Sequence, residues 1–198
     1  MSKAGRPKQF NQNEALYEAT KVFWAQGYSA TSMDDLGAAM GLNRPSIYNT
    51  FGNKESLYRE AMGLFCGQLD QGINECLDAN TSIRQGLTDF FERALDVYCA
   101  SEPGLGCLMI CTAPAEAINS ESIGSELKSL INRLDTAFEE NLKRGVESGE
   151  LKAGVDTKLV AMTMQATLHT IALRARAGGT KKTLKNFTRF SVAQLPWA

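Results

Sequence analysis

The segment Thr31-Ser-Met-Asp-Asp-Leu-Gly-Ala-Ala-Met-Gly-Leu-Asn-Arg-Pro-Ser-Ile-Tyr-Asn-Thr-Phe51 limits the fold of this chain more than any other. Ser32 is placed to accept a hydrogen bond from the amide of Asp35, whose carboxylate suits the positive end of a helix, so a helix is predicted to start there. Gly41 can take the left-handed conformation that stops a helix abruptly; Leu42 then turns inward and Asn43 supplies the next N-cap. Pro45 falls in the first turn of the following helix, where a missing N–H costs nothing. Leu36, Met40, Leu42 and Ile47 form an apolar set that locks two short helices together, and Gly37 and Ala38 leave room for a close crossing. This is helix-turn-helix geometry. Arg44, Ser46, Tyr48, Asn49 and Thr50 point the other way and can donate hydrogen bonds to phosphates or base edges, with no acid between Asn43 and Gly52. An αα-hairpin with a solvated polar face would carry the same pattern.

Helical spacing continues through nearly the whole chain. Ala15, Leu16, Ala19, Val22 and Phe23 recur at steps of three and four up to Gly27, which predicts a helix over about 12–26. From Lys54 into the seventies, Leu57, Ala61, Leu64, Phe65, Leu69, Ile73, Cys76 and Leu77 make one long apolar stripe. Gly63, Gly67 and Gly72 interrupt it, each costing about 1 kcal/mol against Ala; they serve close packing or soften the helix as a lever. A second long stripe runs from Ile123 to Val146, and Asp156 can cap a helix that holds Leu159, Val160, Ala166, Leu168, Ile171 and Ala172. Gly178-Gly179 then precede a last segment from Thr180 to Leu195. No stretch alternates with period two for long, so the predicted class is all-α.

Composition narrows the function. No apolar run approaches the roughly 18 residues that span a bilayer, and Met1-Ser-Lys-Ala-Gly-Arg-Pro-Lys8 lacks the apolar core of a signal peptide. A cytoplasmic protein with no membrane partner is therefore expected. The 198 residues carry a net charge of −1, but residues 1–59 hold seven Lys and Arg against five acids, and the remainder fourteen against seventeen. That asymmetry suits a chain of which only one end meets phosphate. Five cysteines without a C-x-x-C pair, and one histidine, offer no metal site. No cofactor is expected, and the absence of a Gly-rich phosphate loop or placed carboxylate pair disfavours an enzyme.

The first sixty residues resemble the DNA-binding domain of the TetR (tetracycline-repressor-like) family. The resemblance rests on a helix ending in Gly27-Tyr28, then Thr31-Ser32, Leu36, Gly41, Ile47-Tyr48, Phe51 and Asn53-Lys54-Glu55-Ser56-Leu57. It implies that Ser32, Tyr48 and Lys54 hold phosphates of operator DNA while Arg44, Pro45, Ser46 and Asn49 face the major groove. Thr50 departs from the family pattern, which more often has His there. Arg6, in a basic arm at residues 1–9, resembles arms that enter the minor groove. The resemblance implies a helix-turn-helix domain at 1–60 and a larger helical domain at 61–198 that binds a small effector and dimerises. Helices at about 156–177 and from Thr180 onward, or at about 122–146 and 156–177, match the dimerising pair. Met162, Ala166, Leu168, Ile171 and Ala172 fall in a helix common to both options; they could supply the apolar contact between copies, and would equally serve a core within one chain.

Phe90, Tyr98, Cys107, Met109, Cys111 and His169 are the candidate effector contacts. Cys107 and Cys111, spaced i and i+4, share a helix face, and a position near a helix N-terminus would favour a Cys107 thiolate able to sense an oxidant or electrophile. The readings are thus a repressor on a palindromic operator released by a small molecule, a thiol-based sensor of the same build, or a helical adaptor that binds protein instead of DNA.

Overall fold

A computed structural model describes residues 11–77 and 81–198; Arg6 and the basic arm lie outside them. Among these residues the chain forms α1 (Gln12–Gln26), α2 (Met33–Met40), α3 (Arg44–Phe51), α4 (Lys54–Cys76), α5 (Ile83–Tyr98), α6 (Leu108–Thr112), α7 (Glu121–Glu147), α8 (Thr157–Arg176) and α9 (Lys181–Ala193). The extended pairing among them is one isolated bridge between Leu151 and Trp197. Short polar side chains start the helices. Asn11, Ser32, Asn43, Asn53, Ser82, Ser120, Asp156 and Thr180 each accept a hydrogen bond from a backbone N–H two or three residues on. Cys107, before α6, makes no such side-chain bond. No helix among the described residues is long and apolar enough to cross a membrane.

α1, α2 and α3 close around Phe23, Leu36, Ile47 and Phe51, and the start of α4 completes that core with Leu57 and Tyr58. Phe23 meets Tyr58 edge-on, with ring centroids 5.0 Å apart. α4 then leaves the small unit and enters the larger one without a break, so a single rod belongs to both. In the larger unit α7 runs along α8, and α5 packs on α4, α8 and α9. Phe90, Phe91 and Phe138 form its aromatic centre.

The α4 glycines divide by environment. A Cβ on Gly72 would touch Arg93 and Phe90, whereas Gly63 and Gly67 are exposed and face open space. Packing therefore accounts for Gly72 alone. α4 and α5 also approach closely at Gly86, where a Cβ would lie 2.5 Å from the Cys76 carbonyl oxygen.

α8 and α9 pack on each other and both expose large apolar side chains. Leu159 (61% exposed), Met162, Leu173, Phe187 and Phe190 (63%) all reach solvent there. Leu168, Ile171 and Ala172 do not join them. They are buried within the chain, because the helical stripe they form turns toward α5 and α7.

Candidate nucleic-acid interface

α2 opens with a full capping box. Asp35 N–H donates to Ser32 Oγ at 3.1 Å, and Ser32 N–H and hydroxyl both donate to Asp35 Oδ2, at 2.9 and 2.7 Å. Gly41 ends the helix in the left-handed region at φ 65°, ψ 29°, and Leu42 N–H returns to the Gly37 carbonyl at 3.0 Å. A Cβ on Gly37 would stand 2.9 Å from the Leu42 carbonyl oxygen, so the tight turn requires glycine there. Ala38 plays no part in the crossing; its side is exposed. Asn43 Oδ1 accepts from Ser46 N–H at 2.9 Å and starts α3 with Pro45 in its first turn.

α3 has two faces. Ile47 and Phe51 are buried, Ser46 and Thr50 half-buried, and Arg44, Pro45, Asn49 and Tyr48 (49%) are exposed on one side. Arg44 is held rather than free: its Nε–H donates to Asp34 Oδ1 at 2.8 Å and its Nη2–H to Asp34 Oδ2 at 2.6 Å. The paired charges hold the Asp34 carboxyl below, and the Arg44 guanidinium above, their ordinary pKa values. No acid flanks Arg44 in sequence; the fold brings one from α2. Sequence order gives no sign of the pair, because Asp34 and Arg44 stand ten residues apart on different helices.

Lys54 also has partners. Its ammonium stands 4.4 Å over the Tyr28 ring and 3.5 Å from the Ser29 carbonyl, and partial burial lowers its pKa. Ser32, Tyr48, Lys54 and the exposed start of α3 thus belong to one compact unit, with the Ser32 hydroxyl and the Lys54 ammonium engaged locally.

Most effector candidates gather in one region: Tyr98 lies in hydrogen-bonding reach of Cys107 and close to Cys111. Phe90 and Tyr98 line a cleft between α4 and α5 together with Phe65, Leu69, Arg93 and Val97; its interior room is about 40 Å³. Met109 and Cys107 are buried in the core, and Cys111 is half-buried beside them. His169 does not line the cleft; its Nε2 is buried with no hydrogen bond among the described residues, and its pKa is lowered by burial against the opposing pull of Asp135. Burial works against the expected Cys107 thiolate. Cys107 does precede a helix, and the Ile110 and Met109 backbone N–H groups favour its ionised form, but burial dominates and pushes the thiol up to about 12.

Several joints tie the small unit to the large one. Trp24 Nε1–H donates to the Gly106 carbonyl at 3.0 Å, and Arg176 caps the end of α1. Tyr58 and Thr112 hydroxyls meet at 2.6 Å in the interior. Ser29 donates to Glu116 at 2.6 Å, Glu55 accepts from Ser120 at 3.1 Å and from Ser122, and Arg59 pairs with Glu126 at 3.1 Å. Every one of these joins α1, α4 or the turn between α1 and α2 to the segment from Gly106 to Glu126 or to the end of α8.

Residues 15–61 match the family model described as bacterial regulatory proteins, tetR family, and residues 84–191 match that described as Tetracyclin repressor-like, C-terminal domain. The chain belongs to the TetR family. Among curated relatives it is 28% identical to the HTH-type transcriptional repressor ComR of Escherichia coli (strain K12), over 91% of this chain and 86% of ComR. It is also 28% identical to the HTH-type transcriptional regulator YezE of Bacillus subtilis (strain 168), over 80% of this chain and 81% of YezE. Among solved structures, a cysteine mutant of the TetR family transcriptional regulator CifR, complexed with 26-base-pair double-strand operator DNA, superposes with a TM-score of 0.88 at 29% identity, covering 96% of this chain and 100% of that one. As a TetR-family member the chain is a helix-turn-helix transcriptional regulator, with the all-helical architecture expected from its sequence.

Proposed function

We propose that this TetR-family protein is a homodimeric repressor that grips a palindromic operator and lets go when a small molecule enters its helical domain. The observation that carries the reading is the exposed start of α3, where Arg44, Pro45, Tyr48 and Asn49 share one side while Ile47 and Phe51 anchor the other. An α-helix so mounted fits the major groove, with Ser32, Tyr48 and Lys54 as phosphate holders and Arg44, Pro45, Ser46 and Asn49 toward the bases. CifR, its structural relative, is bound to operator DNA. The apolar side chains exposed on α8 and α9 support a two-fold partner, and a dimer would set two copies of α3 on successive half-sites. The cleft at Phe90 and Tyr98 supports the effector. Its present room holds no more than a few waters, so a ligand there must part α4 from α5. α4 carries Lys54 and Glu55 at its other end, which links that parting to the DNA-facing unit.

Selection of the intact protein against a random pool of double-stranded DNA tests the reading. The expected product is a two-fold symmetric site whose affinity falls steeply as salt rises. Substituting Arg44 should relax base preference more than substituting Lys54 does. A pool that emerges with no enriched sequence would remove the reading.

A further inference from the structure

The pair between Asp34 and Arg44 is an odd feature for a surface that is to approach a polyanion. Asp35 already performs the capping at the start of α2, so the second carboxylate is not needed there. Asp34 is well exposed, its side chain 74% accessible, and the hydrogen bonds it accepts come from Arg44. Unpaired, its charge would repel phosphate; paired, it cancels the cation at the head of α3.

The pairing geometry decides what Arg44 has left to offer. A guanidinium has five N–H donors in a rigid fork. Asp34 takes the side edge, made of Nε–H and one Nη2–H. The end edge keeps one Nη1–H and the second Nη2–H, and the Arg44 side chain is 57% accessible. Two parallel donors on one rigid edge match the O6 and N7 acceptors of guanine in the major groove. Pinning the side edge also removes rotamer freedom before the DNA arrives and blocks the alternative in which Arg44 swings to the backbone.

We propose that Asp34 is a specificity-determining positioning residue: it fixes Arg44 with its end edge outward to read a guanine, and withholds that charge from phosphate. The inference rests on the operator-binding reading above. An acid ten residues before the recognition arginine thereby trades general affinity for base selectivity.

Asp34→Asn in the 198-residue protein tests it, measured by fluorescence anisotropy on the selected operator, on variants substituted at each guanine, and on unrelated duplex. The expected result has three parts. Discrimination at the guanine sensitive to Arg44 falls by about tenfold. Affinity for unrelated duplex rises. The plot of log K against log salt steepens by about one, for one more phosphate neutralised. Arg44→Lys keeps the charge but loses the fork, so it should lose the same discrimination, and adding Asp34→Asn to it should change discrimination no further. Thermal melting should hardly move, since an exposed ion pair contributes little. If the wild type discriminates and Asp34→Asn discriminates equally with the same salt slope, the role given to Asp34 is wrong. If Arg44 substitution alters preference at no guanine, it is wrong as well. A wild type with no base preference would instead overturn the operator-binding reading itself.

Discussion

Arg176, in the last turn of α8, donates through Nη1 to the carbonyl of Trp24 at 2.8 Å, across most of the length of the chain. The same guanidinium reaches Leu105 O at 3.2 Å and Ala25 O at 3.0 Å. Trp24 and Ala25 stand in the last turn of α1, where helix carbonyls have no partner of their own. One side chain of the larger unit thus caps the first helix of the DNA-facing unit and holds the loop before α6 against it.

Arg176→Ala should therefore cost about 2 kcal/mol of stability, the size of charged hydrogen bonds lost while their acceptors stay partly covered. Arg176→Lys should recover only part, since an ammonium cannot span three carbonyls as the fork does. Urea unfolding of the two variants checks the order. Equal stability of Arg176→Ala and wild type would show that the cap contributes nothing.

The exposed glycines of α4 give a prediction of opposite sign. Gly63→Ala and Gly67→Ala place a methyl in open space, so each should stabilise by about 1 kcal/mol through helix propensity. Gly86→Ala should destabilise strongly, because its Cβ would meet the Cys76 carbonyl carbon and oxygen and backbone cannot yield cheaply. Thermal melts separate the two classes. If the doubly substituted Gly63 and Gly67 protein is more stable yet responds less to effector, α4 acts by bending.

Stability should fall in alkali. Burial pushes Cys107 from 9.0 to about 12 and Tyr58 from 10.0 to about 12. Both raised values favour the neutral, protonated group in the folded chain. Their contribution is whole below pH 9 and is lost as pH climbs toward 12, since the unfolded chain gives up these protons first. Cys107 alone contributes a loss that grows with pH across that window. Urea midpoints at pH 8, 9.5 and 10.5 measure it, and Cys107→Ala should flatten the decline. An unchanged slope in that variant would place the loss elsewhere.

The apolar side chains exposed on α8 and α9 predict the effect of charge. In the proposed dimer, Phe190→Asp or Met162→Asp should give monomer in sedimentation velocity and weaken operator binding by orders of magnitude, because two half-sites would no longer be held together. Leu168→Ala is the contrast: buried within one chain, it should cost about 2–5 kcal/mol of folding stability. A monomeric wild type would sink the dimer.

What the sequence determined by itself is local. The capping at Ser32 and Asn43, the left-handed Gly41, Pro45 in a first turn and the bounds of α1, α4 and α8 follow from one or two neighbouring residues, and chemistry of that range is written in order along the chain. The buried set Leu36, Met40 and Ile47 follows as well, because helical periodicity assigns a face. What that periodicity cannot do is say which neighbour a face meets. Leu168, Ile171 and Ala172 read equally as core or as interface, and only packing against α5 and α7 made them core. Cys107 illustrates the same divide: its place before a helix was legible, but burial, a property of the assembled core, outweighs the helix end and keeps the thiol neutral. Asp34 is the clearest case. Ten residues separate it from Arg44, and only the turn at Gly41 and Leu42, folding α2 back across α3, makes them a pair.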